Sequence, residues 1–286
     1  MKFAFIKESL NEYPLQICCD VLEVSRSGYY AWRERPMSDR TRRQEELAVK
    51  IKTVHEENRR VYGSPRICEA LRAQGEVISE KTVAKMMKKQ QIQARIKKKY
   101  VPSTTDSNHA NPVVANVLNR EFAAELPNQK WAVDITYIPT DEGWLYLAGV
   151  MDLCSRMIVG WSMASHMKSE LVTDALQMAI ARRQPDHQLL HHSDRGVQYT
   201  CDDYMHLLQS HNLQPSMSGK GNCWDNAAME SFWSTLKTEL VNDQHYASHN
   251  QARASIFEYI EVFYNRKRLH SSIGYKSPEA FEAGLN

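Results

Sequence analysis

The sequence lacks long apolar runs and closely spaced cysteines, and these two absences exclude several classes of protein. No stretch approaches the roughly 18 apolar residues that a helix needs to cross a bilayer. The start, Met1 to Glu8, is too short and too quickly charged for a secretory signal. The six cysteines show no Cys-x-x-Cys spacing, which argues against a zinc knuckle and a disulfide scaffold and favours buried free thiols. The expected compartment is the cytoplasm.

A phosphate-binding loop and internal repeats are also missing. Gly219-Lys-Gly221 lacks the spacing of a phosphate loop and is better interpreted as a mobile loop.

The net charge of +2 is small, but its distribution along the chain is uneven. Residues 1–110 carry 22 Lys and Arg against 14 Asp and Glu, whereas residues 111–286 carry 14 against 20. A basic front half suits contact with a polyanion, and the acidic rear half keeps its carboxylates for another purpose.

Helical spacing predicts two small all-α units at the start of the chain. Residues 1–37 predict a helix, a turn and a Ser-capped helix, an outline shared by helix-turn-helix units and plain αα-hairpins. Residues 38–96 predict three helices, and Ser79 should cap the third. Four lysines lie along that third helix: Lys81, Lys85, Lys88 and Lys89. A basic third helix is the geometry that enters a DNA major groove. A solvated lysine-rich helix explains the charge pattern equally well.

The rest of the chain predicts an α/β domain. Residues 97–128 are polar and turn-rich, which predicts a linker. Residues 129–245 then follow the order strand, strand, strand, helix, strand, helix, helix, with a helix capped by Thr200 and a loop over Pro215 to Asn222. Three strands in a meander followed by alternating helix and strand predict a mixed sheet with helices packed on it, an order that fits a ribonuclease-H-like core. Residues 246–286 should form a C-terminal helical extension.

Three carboxylates are the most informative residues in this domain. Asp134 lies in the strand-like run Trp131 to Tyr137, Asp194 ends another strand, and Glu230 lies in a helix. An aspartate in mid-strand is costly to bury unless it has a partner, and a metal ion would be one. The alternative is an Asp at a strand end that accepts hydrogen bonds from a neighbouring turn. Three converging carboxylates suit a pair of divalent ions, which in turn suit phosphoryl transfer on nucleic acid.

The helix around Glu230 has two distinct faces. At 100° per residue the apolar side chains group on one side: Met229, Phe232, Trp233, Leu236 and Leu240. The polar ones group on another: Asn226, Glu230, Ser234 and Lys237. An outward Glu230 with Lys237 two turns later could hold an ion and a nearby phosphate together. A solvated Glu/Lys face is the simpler alternative.

Other polar residues have weaker claims to a site. Asp202 and Asp203 suit the positive end of a helix dipole, and Asp225 suits a helix cap. His191 and His192 are neighbours in a strand and would point to opposite faces, so a shared zinc ion is disfavoured.

Six ordered motifs together resemble one known family. They are Ser25-Arg-Ser-Gly-Tyr-Tyr30, Tyr62-Gly-Ser-Pro-Arg66, Trp131-Ala-Val-Asp-Ile-Thr-Tyr137, His192-Ser-Asp-Arg-Gly-Val-Gln-Tyr199, Gly221-Asn-Cys-Trp-Asp-Asn-Ala-Ala-Met-Glu-Ser-Phe-Trp233 with Lys237, and Tyr264-Asn-Arg-Lys-Arg-Leu-His-Ser-Ser-Ile-Gly-Tyr-Lys-Ser-Pro278. Over nearly its whole length the chain resembles the OrfB-type transposases of bacterial insertion sequences in the IS-three family, relatives of retroviral integrases.

The resemblance implies a catalytic assignment. The acidic triad of the family corresponds to Asp134, Asp194 and Glu230, as catalytic and metal-binding residues, and Lys237 matches a basic residue that contacts DNA. A ribonuclease-H-like core with two Mg²⁺ ions is implied, for which Mn²⁺ should substitute. One ion would activate a water or a DNA 3′-hydroxyl and the other would stabilise the leaving oxygen. The implied reaction is cleavage at an element end followed by attack of the freed 3′-hydroxyl on another strand, without a covalent protein–DNA intermediate.

The resemblance also implies partners. These are double-stranded DNA, as terminal repeats and as target, further copies of the chain on that DNA, and an upstream OrfA or OrfAB fusion product. The chain shows no leucine-zipper heptads and is expected to be the downstream product alone. Arg66, Lys81 and Lys85 are candidate DNA-binding residues of the second helical unit. A DNA-binding regulator that works only beside the fusion product is the first alternative, and a ribonuclease of the same fold is the second.

Overall fold

The chain folds into two compact units, Met1–Lys52 and Thr53–Asn286. The computed structural model describes residues 1–95, 113–185, 188–219 and 223–285, so the first part of the predicted linker and most of the Gly219-Lys-Gly221 loop lie outside the described residues. Among the helices described, none has the length and apolar character needed to cross a membrane.

The first unit is helical, as the sequence predicts. Its helices are α1 (Lys2–Ser9), α2 (Leu15–Val21) and α3 (Arg26–Glu34), and the boundary between the units falls within α4 (Asp39–Glu57). A small core brings Ile6, Cys19 and Tyr29 together. Ser25 caps α3 by accepting a hydrogen bond from the Gly28 amide at 3.0 Å.

The second unit begins with two helices, α5 (Ser64–Ala73) and α6 (Glu80–Lys89), which pack against each other. Ser79 caps α6 by accepting from the Thr82 amide, which confirms the predicted start of this helix. Val83 and Met87 are buried on α6, whereas its four lysines are exposed. The predicted basic face therefore exists.

A five-stranded mixed sheet forms the centre of the second unit. The strands are β1 (Lys130–Thr140), β2 (Gly143–Asp152), β3 (Ile158–Ala164), β4 (Leu189–Ser193) and β5 (Leu213–Met217). They lie in the order β3-β2-β1-β4-β5. The first three strands form an antiparallel meander, and β1, β4 and β5 run parallel. The central strand is therefore β1, which has a neighbour on each side.

Helices cover the sheet. They are α7 (Ser169–Arg183), α8 (Val197–Thr200), α9 (Asp202–Ser210), α10 (Ala227–Glu239), α11 (His249–Phe257) and α12 (Pro278–Ala283). Helix α7 packs on β2 and β3, and α10 packs on β1. Trp131 and Val133 of β1 lie in one apolar core with Leu171 and Leu176 of α7. The mixed sheet with packed helices confirms the predicted fold class.

The sequence prediction was wrong at two points of this layer. Residues 213–217 form β5, where a loop was predicted from Pro215 onward. Among the described strands β5 pairs with β4 alone, and an edge strand tolerates a proline because its outer side has no strand ladder to complete. Thr200 does not cap a helix but ends the short helix α8, and its hydroxyl donates to the Val197 carbonyl at 3.3 Å.

Within the predicted linker, residues 115–118 lie along the outer edge of β5. The amides of Val117 and Leu118 donate to the Ser216 hydroxyl at 2.9 and 3.0 Å, and Leu118 is buried. Ser216 also contacts His192 at 2.9 Å. The segment therefore covers an edge that would otherwise be open.

Close packing of α7 on β3 predicts a cost for one added methyl group. A Cβ at Gly160 would overlap the carbonyl oxygen of Ala175 and approach the Ala179 methyl at 2.8 Å. We expect Gly160→Ala to lower the free energy of unfolding by about 1–3 kcal/mol, because a packed core resists added volume. Gly284→Ala is the control, since its Cβ would make only ordinary contacts. Denaturant unfolding that gives the same stability for both variants would contradict this packing.

Candidate active site

The strand register brings two of the predicted carboxylates to the same level of the sheet. In the parallel pairing of β1 with β4, Trp131 is opposite His191 and Ala132 is opposite His192. The same offset of 60 residues places Asp134, in mid-strand, level with Asp194, which directly follows β4. Two acids that are far apart in sequence are thus neighbours because their strands are parallel and adjacent.

Asp134 is held by two hydrogen bonds. Its Oδ1 accepts from the Ile135 amide at 2.8 Å, and its Oδ2 accepts from the indole Nε1–H of Trp233 at 3.0 Å. Gly149, opposite Asp134 on β2, makes room for that indole: a Cβ there would lie 2.9 Å from the Trp233 ring. A glycine and a tryptophan thus fix both the carboxylate and the helix that covers it.

Asp194 lies in a tight turn after β4. Its Oδ1 accepts from the Gly196 amide at 2.8 Å, and its side chain is half-buried. Arg195, the residue between them, donates from Nε to the Ser218 carbonyl at 2.6 Å. The turn is thereby tied to the end of β5, which fixes the position of the carboxylate.

Glu230 is exposed in the first turn of α10, as the helical spacing predicts. Met229, Phe232, Trp233 and Leu236 are buried on the opposite face. Because Trp233 bonds to Asp134 from the next turn of the same helix, Glu230 is brought to the side of β1 that carries Asp134. The three predicted carboxylates therefore belong to one region.

Electrostatics link the three acids. Burial, the negative charge of Asp194 and, more weakly, that of Glu230 together raise the pKa of Asp134 to about 8, against the two hydrogen bonds that lower it. Carboxylates that raise one another's pKa are within electrostatic reach and repel when ionised. A cation among them would remove that repulsion.

Lys237 lies in the same region. Its Nζ is 4.7 Å from the centre of the Tyr137 ring, on the strand that carries Asp134. Burial lowers the pKa of Lys237, while the charge of Asp134 acts to raise it. A cation over an aromatic ring is held in place without losing its charge, so Lys237 supplies a positive group beside the acids.

The other candidate DNA-binding residues lie elsewhere. Lys81 and Lys85 are exposed on α6, one turn apart. Arg66 on α5 has a side chain only 25% exposed, and its Nη1 is 3.9 Å from Oε1 of Glu239. The structure therefore places Arg66 against the last turn of α10 and the two lysines on a separate basic face.

The donor set fits a hard divalent cation. Within the described ranges, no three His, Cys, Asp or Glu side chains are close enough to form a ready-made metal cluster. Mg²⁺ does not need one, because it keeps several waters and takes one or two carboxylates from the protein. The mutual charge repulsion around Asp134 is relieved by such an ion. Carboxylate oxygens are also the ligands it prefers.

The residues whose hydrogen bonds hold this site together were not predicted from the sequence. Asn226, predicted on the exposed stripe with Glu230, is buried, and its Nδ2 donates to the Val133 carbonyl at 3.0 Å. It lies in a 3₁₀ turn, Cys223–Asn226, before α10, so the helical angle does not extend to it. The indole N–H of Trp233 was the available signal for the bond to Asp134, since a buried tryptophan usually finds an acceptor.

Asp225 was predicted to cap α10, but it instead anchors the segment before the helix. Its carboxylate accepts from Arg120 Nε at 2.8 Å, Asn116 Nδ2 at 3.0 Å and the Gly219 amide at 2.8 Å. Burial acts to raise the pKa of Asp225, but the hydrogen bonds from Arg120 and Gly219 have the larger combined effect, so the pKa is lowered. The cap position belongs to Asn226, whose side chain makes no capping bond.

His191 and His192 are structural residues. His191 Nε2 is 2.9 Å from the Tyr204 hydroxyl, and His192 contacts the hydroxyls of Ser216 and Ser218. Both are buried, and burial lowers their pKa values to about 3 and about 4. The expectation that they do not share a metal ion agrees with these separate partners.

Comparison with known proteins gives three family matches. Residues 124–223 and 211–278 each match an integrase core domain, and residues 41–100 match an HTH-like domain. Together the matches define an integrase-type polynucleotidyl transferase of the DDE class joined to a helix-turn-helix-like domain.

Individual relatives show which family within this class the chain is similar to. The chain is 45% identical over 284 residues to transposase InsF for insertion sequence IS3A of Escherichia coli strain K12, covering 99% of this chain and 98% of that protein. It is 44% identical over 263 residues to an uncharacterized 31 kDa protein of insertion element IS600 of Shigella sonnei, covering 92% and 96%. The HTLV-2 integrase catalytic core domain in complex with magnesium aligns with a TM-score of 0.41 at 16% identity, covering 55% and 97%. The chain belongs to the IS3 family of insertion-sequence transposases.

The pKa of Asp134 predicts how metal-free stability changes with pH. The folded protein keeps a proton on Asp134 up to about pH 8, whereas the unfolded chain releases it near pH 3.9. Wild-type stability should therefore fall as pH rises between these values. Asp134→Asn cannot titrate, so we expect its stability relative to wild type to increase from pH 5 to pH 8. Urea unfolding in EDTA, with Asp203→Asn as an exposed control, tests this; a constant difference would contradict it.

Proposed function

We propose that Asp134, Asp194 and Glu230 are the catalytic and metal-binding residues with which this transposase cleaves and joins DNA strands. The observation that carries the proposal is the convergence of the acids: the β1–β4 register puts Asp134 level with Asp194, and the Trp233–Asp134 hydrogen bond brings Glu230 to the same side of β1. The raised pKa of Asp134, to which both other acids contribute, agrees with this geometry. Perturbed carboxylates gathered at one place are characteristic of functional sites. Asp202 and Asp203, the competing acids, are exposed and begin α9, where they suit the helix dipole.

These carboxylates would hold divalent cations, two Mg²⁺ ions with Mn²⁺ as a substitute. The solved HTLV-2 integrase core is a magnesium complex, which is in keeping with the proposal. When bound, the ions would polarise the attacking hydroxyl and neutralise charge on the leaving oxygen. The raised pKa means that Asp134 must lose its proton as it takes up a cation, so cation binding should strengthen with pH up to about 8.

The protein groups around the carboxylates have separate tasks. Trp233 and the Ile135 amide fix the orientation of Asp134. Lys237, whose Nζ lies over the Tyr137 ring, would contact a phosphate of the bound strand. In strand transfer the DNA 3′-hydroxyl attacks a phosphodiester. One P–O bond forms as another breaks; the attacking hydroxyl loses a proton, and the leaving oxygen takes up one to become the new hydroxyl. The number of phosphodiester bonds is unchanged, so no external energy source is needed.

The helix-turn-helix-like part binds the backbone of duplex DNA, independently of its sequence. Lys81 and Lys85 are exposed on α6, where they can neutralise phosphates. Synapsis of two element ends requires at least two copies of the chain on the DNA, and the upstream OrfA or OrfAB product is the expected additional partner.

The direct test is strand transfer on labelled element-end DNA with Mg²⁺ or Mn²⁺. We expect Glu230→Gln to reduce joined product at least about 100-fold, because one cation ligand loses its charge, and to leave DNA binding nearly unchanged. Asp203→Asn is the matched control, since it neutralises an exposed acid of the same core, and should retain activity. Unchanged joining by Glu230→Gln would remove Glu230 from the site.

Two further arms of that assay separate the alternatives. Activity that appears only when the OrfAB product is added would favour the regulator or assembly-partner function. Cleavage of RNA–DNA hybrid in preference to element ends would favour a ribonuclease. The transposase proposal predicts joining of duplex ends that carry the terminal repeat and no preference for the hybrid.

A further inference from the structure

A groove of about 410 Å³ runs beside the C-terminal half of α10. One wall is formed by hydroxyl side chains of that helix, Ser234, Thr235 and Thr238. The opposite wall is formed by the start of α5 with Arg66 and by Ala94 and Arg95. Glu239, Ser271 and Tyr275 complete the lining. The groove lies between the helix that carries Glu230 and the helix-turn-helix-like part.

The charges of the groove favour an anion. Glu239 is already neutralised by Arg268, whose Nη2 and Nε donate to its two oxygens at 2.7 and 2.8 Å, and the Tyr259 hydroxyl donates at 2.8 Å. Arg66 approaches the same carboxylate at 3.9 Å. Two guanidinium groups therefore share one carboxylate, which leaves one net positive charge. Arg95 also lines the groove but forms an ion pair with Asp243 at 3.2 Å, so the three arginines and two acids sum to a net charge of +1.

The polar groups of the groove match a sugar–phosphate backbone. Guanidinium groups and Ser and Thr hydroxyls are the side chains that contact DNA phosphates without reading sequence. Arg66 is partly buried and held by Glu239 and by the Tyr62 ring, 5.7 Å from its guanidinium carbon. A pre-oriented guanidinium loses little conformational freedom when a phosphate binds.

The position of the groove relates it to the reacting strand. Ser234 and Thr238 follow Glu230 by four and eight residues, which corresponds to about 6 and 12 Å along the helix axis. With about 3.4 Å of rise per nucleotide in one strand, this is a separation of about two to four nucleotides. We infer that the groove binds the DNA backbone two to four nucleotides from the scissile phosphate. This inference rests on the proposed function, because the distance is measured from Glu230.

The test compares two substitutions of equal size in the groove, only one of which carries a negative charge. We expect Thr235→Glu to weaken binding of labelled element-end DNA at least about tenfold, because its carboxylate would face a phosphate. Thr235→Gln has the same shape and no charge, and should stay within about threefold of wild type. Fluorescence anisotropy in EDTA gives both affinities without catalysis. Ser210→Glu, an exposed change on α9, controls for net charge.

Salt dependence and cross-linking complete the test. The slope of log affinity against log salt should fall by about one for Thr235→Glu, as for the loss of one phosphate contact. Disulfide cross-linking of Thr235→Cys to DNA with a single thiol-tethered phosphate should be strongest two to four nucleotides from the cleavage point. Equal affinity of Thr235→Glu and Thr235→Gln, or cross-linking without positional preference, would overturn the inference. Both readouts are independent of Glu230→Gln activity, so each proposal can fail alone.

Discussion

The structure depends on a carboxylate placed in the middle of a central, covered strand. Asp134 interrupts the apolar sequence of β1, and burial opposes its ionisation. The fold accommodates it with an indole N–H from α10, and the absence of a side chain at Gly149 lets that indole approach. The same contact fixes α10 on the sheet and so brings Glu230 to Asp134. One interaction therefore sets both the local electrostatics and the convergence of the acids.

A second network holds the far end of α10. Glu239 is buried with Arg268 and Tyr259 and lies 3.9 Å from the half-buried Arg66, and the Tyr62 hydroxyl accepts from the Leu269 amide at 2.8 Å. The Tyr62-to-Arg66 and Tyr264-to-Pro278 motifs, far apart in sequence, are thereby in contact. Removing one partner of such a buried pair leaves a charge without compensation. The network ties the helix-turn-helix-like part to α10, and Arg66, which helps to hold α10, also lines the groove.

Local pattern predicted much of this arrangement. The alternation of residues along β1 predicted that Trp131 and Val133, which pack under α7, face away from Asp134. Helical spacing predicted that Glu230 is exposed. Caps such as Ser79 follow from single residues. The prediction failed where tertiary partners decide. Strand β5 forms because β4 pairs with it and residues 115–118 hydrogen-bond to its outer edge, and Asn226 is buried because a 3₁₀ turn precedes the helix. Nothing in the local sequence of Asp225 indicates that Arg120, 105 residues away, binds it.

We propose that Asp134 shares a divalent cation with Asp194 or Glu230, and anomalous scattering from Mn²⁺-soaked crystals would test this sharing most directly. We expect an anomalous peak about 2.1 Å from a carboxylate oxygen of Asp134. We also expect a second carboxylate of the triad to complete the coordination, directly or through water. Manganese bound only at other acids, or no peak at Asp134 at pH 8 with millimolar Mn²⁺, would contradict it.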